Sequence, residues 1–249
     1  MSRNWTDLTD RRPFIPDTIY FPREEFGDLL PLHRQQEPEL WDKLVSADDA
    51  VTTQLDDDGW PISSSSAPWL INAMLDALDL RPGQHVLEIG TGTGWNAALM
   101  AAAGAIVTTI EIDEMIAIRA KAVLGKTGFS DVVVIHGDGE QGAASRAPFD
   151  RIIATAAAHT VPYQWVEQTA EGGRIVFPYT GEHHPRGLAV LIVTDQIASG
   201  QIIDEAAFMP LRGQRIDPVA FRAIGEPKSN VTIEVSPDGQ RVSFDAPSM

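Results

Sequence analysis

The sequence predicts an α/β fold: a largely parallel seven-stranded sheet with helices on both faces, plus an N-terminal segment and a C-terminal hairpin. Three observations predict it. Apolar, often β-branched runs alternate with helix-period stretches between Ala67 and Phe208, the order that gives parallel strands with helical crossovers. The first run, Val86-Leu87-Glu88-Ile89, breaks into the glycine-rich turn Gly90-Thr91-Gly92-Thr93-Gly94, and a helix follows. Residues 1–60 lack this alternation.

In chain order, the first 60 residues are broken by Pro13, Pro16, Pro22, Pro31 and Pro38, and carry Trp5, Trp41 and Trp60. Only short helices are expected there, one near Glu37 to Ser46. Aromatics beside prolines predict a segment packed on the core, across the carboxyl edge of the sheet. Trp69, Leu70, Met74, Leu78 and Leu80 recur at helical spacing, and Arg81-Pro82-Gly83 stops that helix. The seven strands are expected at His85–Ile89, Ile106–Ile112, Val132–Ile135, Asp150–Ala154, Arg174–Phe177, Leu188–Val193 and Ile202–Phe208. Helices are expected from Trp95 to Ala103, from a cap at Asp113 to about Lys126, and from Pro162 to Thr169. After Arg212-Gly213, two alternating runs flank Ser236-Pro237-Asp238-Gly239, which reads as a hairpin. The expected division is an N-terminal extension over 1–60, a core over 61–213 and a C-terminal extension over 214–249.

Composition narrows function. The formal net charge is −16, which repels phosphate backbones and disfavours a nucleic-acid partner. Cysteine is absent, so disulfides and zinc–thiolate sites are excluded. No apolar run is long enough to span a membrane, and Met1 to Asp10 does not read as a secretory signal, so a cytoplasmic location is expected. The histidines give no metal site: His183 and His184 are adjacent and point apart in an extended segment, His33, His85 and His136 have no evident partner, and His159 falls at the strand-end edge of the site.

The chemistry concentrates at the glycine turn. Glycine lets the backbone turn sharply and approach a ligand. Glu88 precedes the turn at the carboxyl end of a strand, where open α/β sheets bind ligands. An acid there suits a cationic ligand and would repel a pyrophosphate. Glu111 ends the next strand at the spacing of an acid that accepts from ribose hydroxyls.

Glu88 to Gly94 resembles the first motif of the Rossmann-like class I methyltransferases. The resemblance implies S-adenosylmethionine as cofactor. Its methionine part would lie along Glu88, Gly90, Thr91, Gly92 and Gly94, and its ribose on Glu111 beside Ile112. His136-Gly137-Asp138-Gly139 resembles the motif whose Asp reaches the adenine amino group, and Thr155 joins the cofactor set.

Further blocks are similar to the protein-L-isoaspartate O-methyltransferase family: Arg12-Pro13-Phe14-Ile15-Pro16, Ser66-Ala67-Pro68, Ala147-Pro148-Phe149-Asp150, Ile153 to Ala157, Glu171-Gly172-Gly173 and Phe208 to Leu211. The resemblance covers about residues 60 to 213. It implies methylation of an aspartyl or isoaspartyl carboxylate in a peptide or protein, the ester going on to a succinimide. A carboxylate with a pKa near ~4 is already ionised and needs no base. By resemblance Ser66 is the serine placed at that carboxylate, whereas anchoring on Ile62 would select Ser63. The approach from Val51 to Ser63 departs from the family, and the chain also resembles the branch that modifies ribosomally made peptides. A small-molecule O-methyltransferase and a non-catalytic cofactor-binding homologue are the alternatives. Oligomeric state is not legible.

Overall fold

The computed structural model describes residues 4–22, 27–181, 184–215 and 229–244. His183 and much of the 214–249 extension lie outside them. The expected seven-stranded sheet is in fact nine-stranded and mixed, in the order β13-β12-β11-β10-β9-β8-β5-β6-β7. Its parallel half comprises β5 (His85–Ile89), β6 (Ile106–Glu111), β7 (Val133–His136), β8 (Phe149–Ala154) and β9 (Thr169–Gly181). The rest is antiparallel: β10 (His184–Thr194), β11 (Ile197–Glu205), and the hairpin β12 (Thr232–Ser236) with β13 (Gly239–Ser243). The hairpin is therefore no appendage: Ala198 to Gln201 of β11 pair with Thr232 to Val235.

Strand residues alternate between two cores, as a sheet covered on both sides requires. Val86, Val107, Ile153 and Val176 face α2 (Pro68–Leu78), α3 (Trp95–Ala102) and α4 (Glu114–Lys126). Leu87, Ile89, Ile152, Ile175 and Phe177 face the other way, onto Trp165 and Val166 of α5 (Tyr163–Glu167) and Ile233 and Val235 of the hairpin. Among the described residues helical cover is thus lopsided: the α-helix on the second face is the five-residue α5, with the hairpin completing it. The expected cap forms at α4, where the Asp113 carboxylate accepts from Met115 and Ile116 N–H at 3.0 and 3.1 Å.

The N-terminal stretch corrects the expectation of irregular chain. It builds a second, antiparallel sheet, β2-β1-β3-β4, from β1 (Thr18–Pro22), β2 (Leu29–His33), β3 (Val51–Leu55) and β4 (Pro61–Ser65). Its prolines sit where a strand tolerates a missing N–H: Pro31 on the edge strand, Pro22 at a strand end, Pro61 at a strand start. Ile19, Leu32, Trp41 and Val45 of this sheet and of α1 (Pro38–Val45) form its own small core. The division at 60/61 falls inside the β3–β4 hairpin, so this unit runs on to Ser65. Trp5 and Phe14 join the main core, and Trp5 donates its indole N–H to Asp76 at 2.6 Å, which fastens the chain start to α2.

Candidate active site

A cavity opens at the carboxyl ends of β5, β6 and β8. Its floor is Glu88 to Thr93, its sides Ile110 to Ile112, Asp138, Gly139 and Thr155, and its roof Ile62 to Ser66 with Met209 to Arg212. The roof is brought over from two directions. β4 carries the serines, and the chain after β11 is tied back to the sheet end because Ala157 N–H donates to Met209 O and Leu211 N–H to Ala157 O, both at 2.8 Å.

Glu88 is fully buried, and both carboxylate oxygens are taken. Asn96 Nδ2 donates to Oε1 at 2.7 Å and Thr109 Oγ1 to Oε2 at 2.6 Å; Thr109 in turn shares a hydrogen bond with Thr91 at 2.7 Å. Burial pushes the carboxyl up to about 7, with the charge of Glu111 adding to the rise and the two donors opposing it. Glu111 accepts from Gly92 N–H at 3.0 Å and Asp113 N–H at 3.1 Å, holding the glycine turn to the end of β6. Its oxygens keep lone pairs for further donors. Asp138 accepts from Glu140 N–H at 2.9 Å through one oxygen, so the residue caps a loop and presents its second oxygen outward. Thr155 Oγ1 donates to Gly90 O at 2.7 Å, which makes it a support of the turn.

Two glycines are required by space. A Cβ on Gly90, at φ +92°, would lie 3.0 Å from Thr155 Oγ1, and one on Gly139 would collide with Ile89 Cγ2. Gly94 differs from its expected place: it does not line the cavity, and a Cβ there would meet Leu124 of α4 at 3.3 Å. Its φ of +84° turns the chain into α3. The rest of the cofactor set lines one cavity. The donor set fits a molecule with a cationic amino acid end and a ribose: buried anionic character at one end, a strand-end acid beside it, an apolar wall at Ile112. The buried Asn96 Oδ1 has no partner among the described residues, an unmet acceptor beside the Glu88 end.

The serine run sorts by strand alternation. Ser63 Oγ accepts from Thr53 and Ser65 Oγ from Arg11, and both residues are buried. Ser64 and Ser66 line the cavity, and neither hydroxyl has a partner among the described residues. Both also line an adjoining groove of about 520 Å³ walled by Trp69, Leu70, Phe208, Met209 and Arg186. Ser66 therefore lies at the junction of cavity and groove, and Ser63, which also lines the cavity, accepts from Thr53. Trp69 is half exposed in the groove, Trp95 packs and lines the cavity, and His159 lines neither. Sequence reasoning missed Asn96, Thr109 and Arg11, whose roles arise from contacts remote in sequence. The polar Asn96 inside an apolar helix was the one local signal.

Comparison with known proteins identifies the family and the fold. The family model for Protein-L-isoaspartate(D-aspartate) O-methyltransferase (PCMT) matches residues 42–215. A protein-L-isoaspartate O-methyltransferase of Koribacter versatilis is 40% identical over 152 residues, 60% of this chain and 67% of the relative. One from Pyrococcus horikoshii is 39% identical over 153 residues, 60% of this chain and 69% of the relative. Among solved structures, a protein-L-isoaspartate O-methyltransferase superposes with a TM-score of 0.69 at 23% identity, covering 99% of this chain and 84% of its own. A Plasmodium falciparum structure described as a β-aspartate methyltransferase, in complex with S-adenosyl-L-homocysteine, gives 0.63 at 17% identity, covering 84% and 88%. At such identities the structures speak for the fold alone.

Proposed function

Since this chain belongs to the protein-L-isoaspartate(D-aspartate) O-methyltransferase family, and so is an S-adenosylmethionine-dependent carboxyl O-methyltransferase, we propose that it methylates an aspartyl or isoaspartyl carboxylate of a peptide laid in the groove beside Ser66. The observation that carries this reading is the pair of unbonded hydroxyls, Ser64 and Ser66, shared by the cofactor cavity and the groove.

Glu88, Gly90 to Gly92 and Asn96 would hold the amino acid end of the cofactor, Glu111 and Ile112 the ribose, Asp138 and Gly139 the adenine, with Gly94 and Thr155 shaping the turn. S-adenosylmethionine supplies a methyl group activated by its sulfonium. The chain's task is alignment, because the acceptor carboxylate is ionised without help. Ser66 Oγ donates to one carboxylate oxygen and leaves the other free to attack. The adjacent backbone nitrogen then attacks the ester carbonyl carbon, methoxide leaves and takes up the N–H proton as methanol, and the succinimide closes. Arg186 offers the groove a cation in a chain of net charge −16, which favours an acidic acceptor.

The departure from the family over Val51 to Ser63 lies in β3 and β4, the strands next to the groove. That favours a dedicated substrate, such as a ribosomally made precursor peptide, over general repair of isoaspartate. Incubation with isoaspartyl and aspartyl peptides, followed by mass analysis for one added methyl, tests the reading. Methyl transfer to isoaspartyl peptides of any sequence would favour repair. Transfer to neither type across a library of peptide sequences would overturn the proposal.

A further inference from the structure

Of the two adjacent arginines near the chain start, Arg12 is at the surface, paired with Asp10 at 2.8 Å, whereas Arg11 is buried. Arg11 binds three stretches of chain. Its Nε donates to Ser65 Oγ at 2.9 Å, and its NH2 to the carbonyls of Ser65 at 2.8 Å and Ser66 at 3.0 Å. Its NH1 donates to the Asp49 carbonyl at 2.9 Å, behind α1. Its guanidinium lies over the Trp95 ring, 5.4 Å from the centroid. Trp95 is the first residue of α3 after the glycine turn, and its indole N–H donates to Thr9 O at 3.1 Å.

These contacts fix the peptide units at Ser65 and Ser66 from behind. With Ser65 Oγ and the Ser66 carbonyl held by Arg11, Ser66 Oγ is left free toward the cavity. The same guanidinium rests on the first residue of the helix that follows the cofactor turn, so it spans both halves of the reaction. Burial lowers Arg11 to about 10, opposed by the carboxylates of Asp49 and Asp48, so it keeps its charge at neutral pH. We infer that Arg11 is a positioning residue for the acceptor carboxylate: it sets Ser66 relative to the cofactor turn and places a fixed positive charge behind the serine. This rests on the acceptor reading of Ser66 given above.

Only a planar fork of donors serves Nε and both NH groups together, so lysine is no equivalent. The test compares Arg11→Lys with Arg151→Lys. Arg151 also donates to backbone carbonyls, Leu78 O at 2.7 Å and Asp150 O at 2.8 Å, but it does not line the cavity or the groove. Thermal unfolding, S-adenosylmethionine affinity by calorimetry, peptide kcat and KM, and hydrogen exchange over residues 63–67 are read for each. Arg11→Lys is expected to lower peptide kcat/KM by about 10- to 100-fold, leave cofactor affinity within about twofold, and lose exchange protection at 63–67. Arg151→Lys is expected to lose stability without these changes. Peptide turnover that falls only in step with unfolding temperature in both variants would overturn the inference, as would unchanged protection at 63–67. If wild type methylates no peptide, the acceptor reading fails, and the exchange experiment still decides Arg11.

Discussion

At the scale of single residues, Glu88 and Ser66 make opposite demands. Glu88 is held at about 7 in the folded chain against about 4.5 in its ordinary state. The folded protein therefore grips that proton more tightly. The stability this brings is full below about 4.5 and is lost as pH rises through about 7, on the order of 3 kcal/mol. Glu88→Gln is expected to raise resistance to urea at pH 8 and hardly at all at pH 4.5; the same pH profile in both proteins would contradict this. In the wild type, binding of the cationic cofactor is expected to weaken as pH falls below about 7, and in the variant to be weak throughout, as calorimetry would register. Ser66→Ala is expected to slow methyl transfer by about one to two powers of ten, since a hydrogen bond to a charged group is worth roughly 1.5–3 kcal/mol, with cofactor affinity intact. Ser63→Ala, whose hydroxyl faces Thr53, is expected to leave the rate near wild type. The reverse order in a kinetic assay would move the acceptor to Ser63. The start of α2, on which the choice of Ser66 was anchored, was legible because Ala67-Pro68 fixes it. Arg11 was not, because its significance lies in bonds reaching 54 residues along the chain.

Among the elements, those legible in sequence carried their own punctuation. The β5 strand, its glycine turn and α3 are local events, as is α4, whose cap Asp113 takes two backbone N–H groups. Burial opposes ionisation of Asp113, yet the N–H groups of Ile116 and Met115 and the Arg212 guanidinium hold its carboxyl below the ordinary value. Its contribution is present above the unfolded pKa and is lost as pH falls through the lower folded one. Asp113→Ala is expected to cost about 1 kcal/mol at pH 7 and less at pH 3, read by denaturant midpoints at the two pH values. The N-terminal sheet was hidden because prolines veto a strand locally, whereas edge positions and strand ends excuse them. Its existence depends on pairing between β1 and β3, about 30 residues apart, which no local pattern encodes.

For the whole molecule, the same distinction explains the sheet. Alternation of strand and helix announced the parallel half, while β10 to β13 form a meander whose partners must be found by register. Ile233 and Val235 are buried against the face that α5 only partly covers, so the hairpin belongs to the folding unit. Ile233→Ala is accordingly expected to destabilise the entire protein by about 2–5 kcal/mol, with one cooperative unfolding transition monitored by both far-ultraviolet dichroism and tryptophan fluorescence. Loss of the hairpin signal ahead of the rest would show it to be a separate appendage. The way β4 lies over the glycine turn has a historical consequence. Under the proposed function, the residues assigned to the methyl donor sit mainly at the strand ends of the large sheet, while the groove proposed for the acceptor is walled partly by the β3–β4 hairpin of the small one. Under that reading, mutation can rewrite β3, which borders the groove and does not line the cofactor cavity, so a lineage can acquire a new client while the donor's residues pass on intact. Transplanting residues 51–55 from a relative is the laboratory form of that inheritance.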